Sequence, residues 1–255
     1  MKKTIFSKAI AILGAIAMLA GVAACGQSNN AGESGNGLNK VMFMLSWAPD
    51  TNHIGVYVAK NKGYFKQAGL DVDIVAVAQA GAEQAVNNGV ADFGGFYATW
   101  EGVQADMYGP KLNCFTEPDY GVPGNADTIG IITSNKTISS NPTLVRKFVQ
   151  ATKKGYEYAY SHPDDAAAIL VKEAPDANLK LDFVKKSMKT IVNGQYWGDP
   201  AKIKDGSFTF GTNDTAGAQK YFDFLAEENA YTDSHDKVIH TAPVAKDIST
   251  DEFLK

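Results

Sequence analysis

Between residues 40 and 98 short apolar runs alternate with helical patterns, and no other feature constrains the fold as strongly. KVMFMLSW reads as a buried strand, residues 53–68 as a helix, and LDVDIVAV as an alternating strand. GAEQAVNNG then reads as a short helix and ADFGGFYA as a third strand. Strands joined through helices run parallel, which predicts an α/β fold. After TIGIITS the pattern turns mostly helical. Asn141 and Pro142 form a helix start with Pro at the first position, and Leu144, Phe148, Ala151 and Gly155 follow at helical spacing. A further helix is expected after SHPDDAA, where Asp164 and Asp165 suit a positive helix N-terminus, and FVKKSMKTIV and AGAQKYFDFLAEENA supply two more.

The chain opens with an address. Lys2, Lys3 and Lys8 precede the apolar run AIAILGAIAMLAGVAA, which is short for a membrane span and ends in small residues directly before Cys25. Val22-Ala23-Ala24-Cys25 resembles a bacterial lipobox, which implies a signal peptide over residues 1–24 and a lipid on Cys25. Residues 25–37, rich in Gly, Ser and Asn, have almost nothing to bury and read as a flexible linker. Residues 38–255 form the folded part, 218 residues, enough for one large domain or two small ones. Removal of three lysines and no acidic residue takes the formal charge from -4 to -7, which argues against nucleic acid and against a polybasic membrane patch. Cys114 would then be the remaining thiol, most simply a small buried hydrophobe, so neither an internal disulfide nor a cysteine metal site is expected. His162, His235 and His240 lack metal-ligand spacing and read as surface or capping residues.

Open parallel sheets bind ligands beyond the carboxyl ends of their strands, and Trp47, Asn52 and His53 fall at such an end. Trp47 offers a flat apolar face, while Asn52 offers an acceptor and two donors, which suits a planar polar heterocycle. A core-packed Trp47 and an Asn52 that only caps a helix explain the same spacing. Phe-Tyr-Ala-Thr-Trp-Glu-Gly over residues 96–102 adds Tyr97, Trp100 and Glu101 at the end of the third strand. Rings that stack and a carboxylate that accepts from an amino group would hold an aminopyrimidine; a solvent-facing Glu101 at a helix start is the alternative. No G-x-S-x-G, phosphate loop, paired histidines or obvious Schiff-base lysine occurs, so an enzyme is the weaker class and no cofactor is expected.

LSWAPDTNHIGVYVAKNKGYFKQAGLDVDIV, with GVADFG after it, resembles solute-binding proteins of ABC importers in the family that binds thiamine pyrimidine precursors, with sulfonate and riboflavin binders as relatives. Trp47, Pro49, Asn52 and His53 carry the specific part, and FYATWEG and residues 141–170 resemble later parts of the family. The resemblance runs from about residue 40 to residue 172 and more weakly to DEFLK. It implies a type II periplasmic-binding-protein-like fold, normally two lobes that close on a ligand, and an ABC permease as partner at the outer face of the bacterial cytoplasmic membrane. It also implies ligand contacts from Trp47, Asn52, His53, Tyr97, Trp100 and Glu101. Eukaryotic relatives make the pyrimidine, so a synthase-like enzyme using pyridoxal phosphate on a lysine such as Lys60 or Lys62 is the alternative. A surface lipoprotein that has lost transport is a third. The departure from the family is a fusion: GVADFG runs straight into GFYATWEG, joined near Gly94 and Gly95. This leaves one lobe plus a truncated second lobe, with residues 38–94 and 126–255 in lobe one and 95–125 as the remnant of lobe two and the hinge.

Overall fold

The computed structural model describes residues 37–75, 97–109, 112–123 and 130–255. Strand β1 (Asn39–Met44) pairs in parallel with β2 (Leu70–Val75), in a register that sets Asn39 beside Leu70 and Met44 beside Val75. The rest is mostly helical, so the molecule is a mixed α/β structure with a small parallel sheet. The expected helix over GAEQAVNNG, most of the third strand, the junction at Gly94 and Gly95, the leader and Cys25 lie outside the described residues.

The helix expected over residues 53–68 is split in three. A 3-10 turn (Thr51–His53) leads into α1 (Ile54–Asn61), and α2 (Tyr64–Gln67) follows a break at Gly63. Gly63 has φ of 73°, a left-handed conformation that glycine adopts without a Cβ penalty. β1 also departs from the buried strand expected of it. Val41 and Phe43 pack against the core, whereas Met42 and Met44 are 75% and 61% exposed. Successive side chains of a strand point to opposite faces, and here the helical layer covers one of them.

Among the described residues six helices follow the 97–100 turn, α3 (Glu101–Tyr108), α4 (Asn135–Ser140), α5 (Pro142–Ser161), α6 (Pro163–Glu173), α7 (Leu181–Asn193) and α8 (Pro200–Asp205), of which α3, α5, α6 and α7 bury core residues. Beyond them come α9 (Thr215–Glu227) and α10 (Ala245–Ile248). The expected start of α5 forms as read, with Asn141 Oδ1 accepting from Leu144 N at 3.1 Å and Pro142 leading the helix. α8 was not expected; its six residues are too few to show a period, and Asp199 caps it by accepting from Ala201 N at 2.9 Å. Cys114 is exposed rather than buried, because it lies in an irregular run at residues 112–116 whose neighbours are also exposed. Among the described residues no group of His, Cys, Asp or Glu could hold a metal, and no helix is long and apolar enough to cross a membrane.

α1 and α5 cross where two glycines meet. A Cβ on Gly155 would overlap the Gly55 carbonyl oxygen and lie 2.9 Å from Ala59 N, and a Cβ on Gly55 would overlap the Tyr156 ring. Around that crossing Phe148 stacks on Phe65 at 5.4 Å and reaches Phe43 at 5.3 Å, which ties α5 to α2 and to the sheet. Alanine at Gly155 gains about 1 kcal/mol in helix propensity. It should nevertheless destabilise the protein by about 3 kcal/mol or more, since backbone and not a flexible side chain would have to move. Urea unfolding of Gly155→Ala beside a Gly130→Ala control, at an exposed glycine with open space around it, checks this, and equal stabilities would contradict the close crossing.

Candidate functional site

The turn at residues 46–53 leaves the carboxyl end of β1 and enters α1. Its centre is Asp50, a carboxylate only 4% exposed. Asp50 is the N-cap of the 3-10 turn and accepts from Asn52 N at 2.8 Å and His53 N at 3.3 Å, with Asn52 Nδ2 at 3.4 Å. Burial of an ionised carboxylate costs several kcal/mol unless its oxygens are used, and here backbone donors at a helix start use them. His53 lies over the same group, with Nδ1 2.8 Å from Asp50 Oδ1, an ion-pair distance without hydrogen-bond alignment, and Nε2 3.3 Å from Ser46 Oγ. The imidazole is therefore hydrogen-bonded at Nε2, while Nδ1 lies against the carboxylate without a hydrogen bond.

α5 closes the turn from behind. Tyr156 donates its hydroxyl to the Asn52 carbonyl at 2.6 Å, and its ring meets Trp197 edge-on at 5.4 Å. Burial, with the Asp50 charge in support, pushes the Tyr156 phenol well above the usual tyrosine range, and the same causes push Tyr57 up to about 12. Both phenols keep their protons at neutral pH, so Tyr156 remains a donor.

The second segment, residues 97–101, starts α3. Tyr97 is 44% exposed, and its backbone N–H donates to Glu101 Oε2 at 2.9 Å. Trp100 is 8% exposed and packs on Phe183 with ring centroids 4.5 Å apart. The two segments meet at one hydroxyl on α7: Ser187 donates to the Thr99 carbonyl and lies 2.8 Å from Thr51 Oγ1.

The six residues singled out from sequence thus divide by position. Trp47 is half-buried and Tyr97 exposed, so both keep surface. Asn52 and His53 are buried in the Asp50 turn, Trp100 is in the core, and Glu101 is half-buried with one oxygen on its own helix start. Asp50, Thr51, Tyr156 and Ser187 were missed as parts of the site. Ser187 did leave a signal, as the polar residue in the otherwise apolar stripe Phe183, Val184, Met188 and Ile191.

Residues 50–98 and 88–166 match the sequence model of a family described as NMT1/THI5 like, so residues 88–98 fall in both matches. The matched residues include Asn52, His53, Tyr97, Trp100, Glu101 and Tyr156, whereas Trp47 and Ser187 lie outside them. Over 68 residues the chain is 46% identical to a formylaminopyrimidine-binding protein of Halalkalibacterium halodurans, which is 27% of this chain and 19% of that protein. It is 34% identical over 84 residues to riboflavin-binding protein RibY of Chloroflexus aurantiacus, 32% of this chain and 23% of the relative. A 37-residue match at 46% identity, 14% of this chain and 11% of the relative, joins it to the 4-amino-5-hydroxymethyl-2-methylpyrimidine phosphate synthase THI11 of Saccharomyces cerevisiae. The chain therefore spans between 11% and 23% of the length of these curated relatives.

The raised phenol of Tyr57 has a consequence for stability. Below pH 10 folded and unfolded chains both hold that proton; between pH 10 and about 12 the unfolded chain loses it first, so stability falls across that window. Tyr57→Phe should remove up to about 2 kcal/mol of this alkaline loss relative to the unchanged chain. Urea midpoints of both proteins at pH 9 and pH 11.5 measure it, and parallel declines would show that Tyr57 is not the group responsible.

Proposed function

We propose that this protein binds a small planar heterocycle of the aminopyrimidine class as the lipid-anchored solute-binding component of an ABC importer. The observation that carries this reading is the meeting of two segments around Ser187: the polar turn at the carboxyl end of β1 and the aromatic segment at residues 97–101. Trp47 and Tyr97 would stack on the ligand, Glu101 would accept from its amino group, and the Asn52–His53 turn would set the ring's orientation. Relatives named for formylaminopyrimidine and riboflavin binding support the ligand class. The shared residues 88–98 support a fused chain, since two similar family strands joined into one would match twice.

The yeast relative gives the synthase reading an observation of its own. A Schiff-base lysine works with a lowered pKa. Lys62 has the opposite environment: it lies 4.3 Å above the Tyr158 ring and 2.9 Å from Asp165 Oδ2, and hydrogen bonding to Tyr158 and then Asp165 holds its ammonium protonated well above the usual lysine range. Lys62 does not fit that role, and Lys60, the other lysine named for it, is exposed in the last turn of α1, so binding is the reading we favour.

If the second lobe is truncated, the ligand loses one stacking face and one charge-assisted hydrogen bond, roughly 2.5 to 6 kcal/mol. A ligand otherwise held near ~1 μM would then bind between about 0.1 and 10 mM. NMR titration of the mature chain with 4-amino-5-hydroxymethyl-2-methylpyrimidine, riboflavin and taurine should give saturable shifts near Trp47 and Tyr97 with the pyrimidine in that range. Shifts with taurine alone would overturn the pyrimidine assignment, and micromolar pyrimidine binding would overturn the truncation.

The anchor is tested separately. Cys25→Ala should abolish incorporation of labelled fatty acid and move the protein out of the membrane fraction. Retention at the membrane without label would mean that the leader itself is the anchor.

A further inference from the structure

Among the residues that α7 buries, Phe183, Val184, Met188 and Ile191 are apolar and Ser187 is the polar member, with no exposed surface. A buried hydroxyl without partners costs about 1–3 kcal/mol, and alanine at that position would simply continue the apolar face. Serine is therefore worth keeping there only for the bonds it makes. Those bonds join parts of the chain far apart in sequence: Thr99 is 88 residues before Ser187 and Thr51 is 136 before it.

Their direction follows from the chemistry. A carbonyl oxygen can only accept, so the single proton of Ser187 goes to Thr99 O. The Ser187 oxygen is then an acceptor toward Thr51, and the Thr51 hydroxyl is the donor across 2.8 Å. The result is a one-way chain, Thr51 to Ser187 to Thr99, all of it buried. Thr51 stands next to Asn52 and His53, and Thr99 stands between Tyr97 and Glu101.

We propose that Ser187 is a positioning residue: with Thr51 it clamps the turn at residues 50–53 to the segment at residues 97–101, so that the two halves of the ligand site keep one spacing. The clamp is a property of the chain itself, and its effect on ligand affinity rests on the heterocycle-binding reading above. A packing role for Thr51 and a hydrogen-bonding role make opposite demands. Thr51→Val keeps the shape and loses the hydroxyl; Thr51→Ser keeps the hydroxyl and loses a methyl.

Amide hydrogen exchange of the full mature chain reads the clamp directly. Thr51→Val and Ser187→Ala should each speed exchange at residues 50–53 and at residues 97–101 by about tenfold, the worth of one buried hydrogen bond, while Thr51→Ser stays close to the unchanged chain. In parallel NMR titrations with 4-amino-5-hydroxymethyl-2-methylpyrimidine, the first two variants should bind about tenfold more weakly and Thr51→Ser nearly as well as the unchanged chain. Loosening confined to one segment, or a Thr51→Ser chain looser than Thr51→Val, would overturn the clamp. An unchanged chain that binds no pyrimidine would remove the ligand reading alone, since the exchange rates still decide the clamp.

Discussion

The contact between Gly55 and Gly155 is the constraint on which the described structure depends. Two helices can come this close only where neither carries a side chain, and the approach sets the rotation of α1 as well as its distance from α5. Tyr156, the next residue on α5, is thereby brought over Gly55 with its hydroxyl on the Asn52 carbonyl. A larger residue at either glycine would push away the polar turn together with the helix. The packing and the candidate site are therefore one feature: the close glycine crossing lies immediately beneath the chemistry.

That proximity explains how a carboxylate can be buried at Asp50. The turn supplies two backbone N–H groups at the start of a helix, where the peptide dipoles already favour negative charge, and the His53 ring lies alongside. Burial, with the same charge in support, makes Tyr57 and Tyr156 hold their protons more tightly. A compact anionic centre is thus surrounded by groups that each use it, which leaves Asn52 and His53 little freedom to turn toward a ligand. In the proposed site they would act by shaping the turn on which the ring is oriented.

Sequence reasoning reached the parts of this that local pattern encodes. The parallel pairing of β1 and β2 followed from strand–helix–strand alternation, and the start of α5 followed from Asn141-Pro142, because both are settled by residues close together in the chain. The exposed face of β1 was not legible, since VMFM is apolar in every register and only the surrounding layers decide which face is covered. Nor was Asp50 legible as the centre of the site: as an Asx residue before a helix it looks like any N-cap, and its burial depends on α5, roughly a hundred positions later. Trp100 illustrates the same limit from the other side. Its place in an aromatic and acidic cluster suggested a ligand contact, but the partner that fixes it is Phe183 on α7.

The division between buried and exposed groups bears on what can supply affinity. Asp50, Asn52, His53 and Trp100 are buried among protein partners, so most of their interaction energy is already committed to the fold. Trp47 and Tyr97 keep surface, and both carry rings. Base-on-ring stacking contributes about 1–3 kcal/mol per ring, so two rings supply roughly 2–6 kcal/mol. A dissociation constant of about 1 mM corresponds to about 4 kcal/mol, in the middle of that range. Tighter capture needs a second surface over the same ring, one that adds burial and charge-assisted bonds to groups the wall has left unused. In these terms the described residues would serve as one wall of the proposed site, and high affinity would be a property of whatever closes against it.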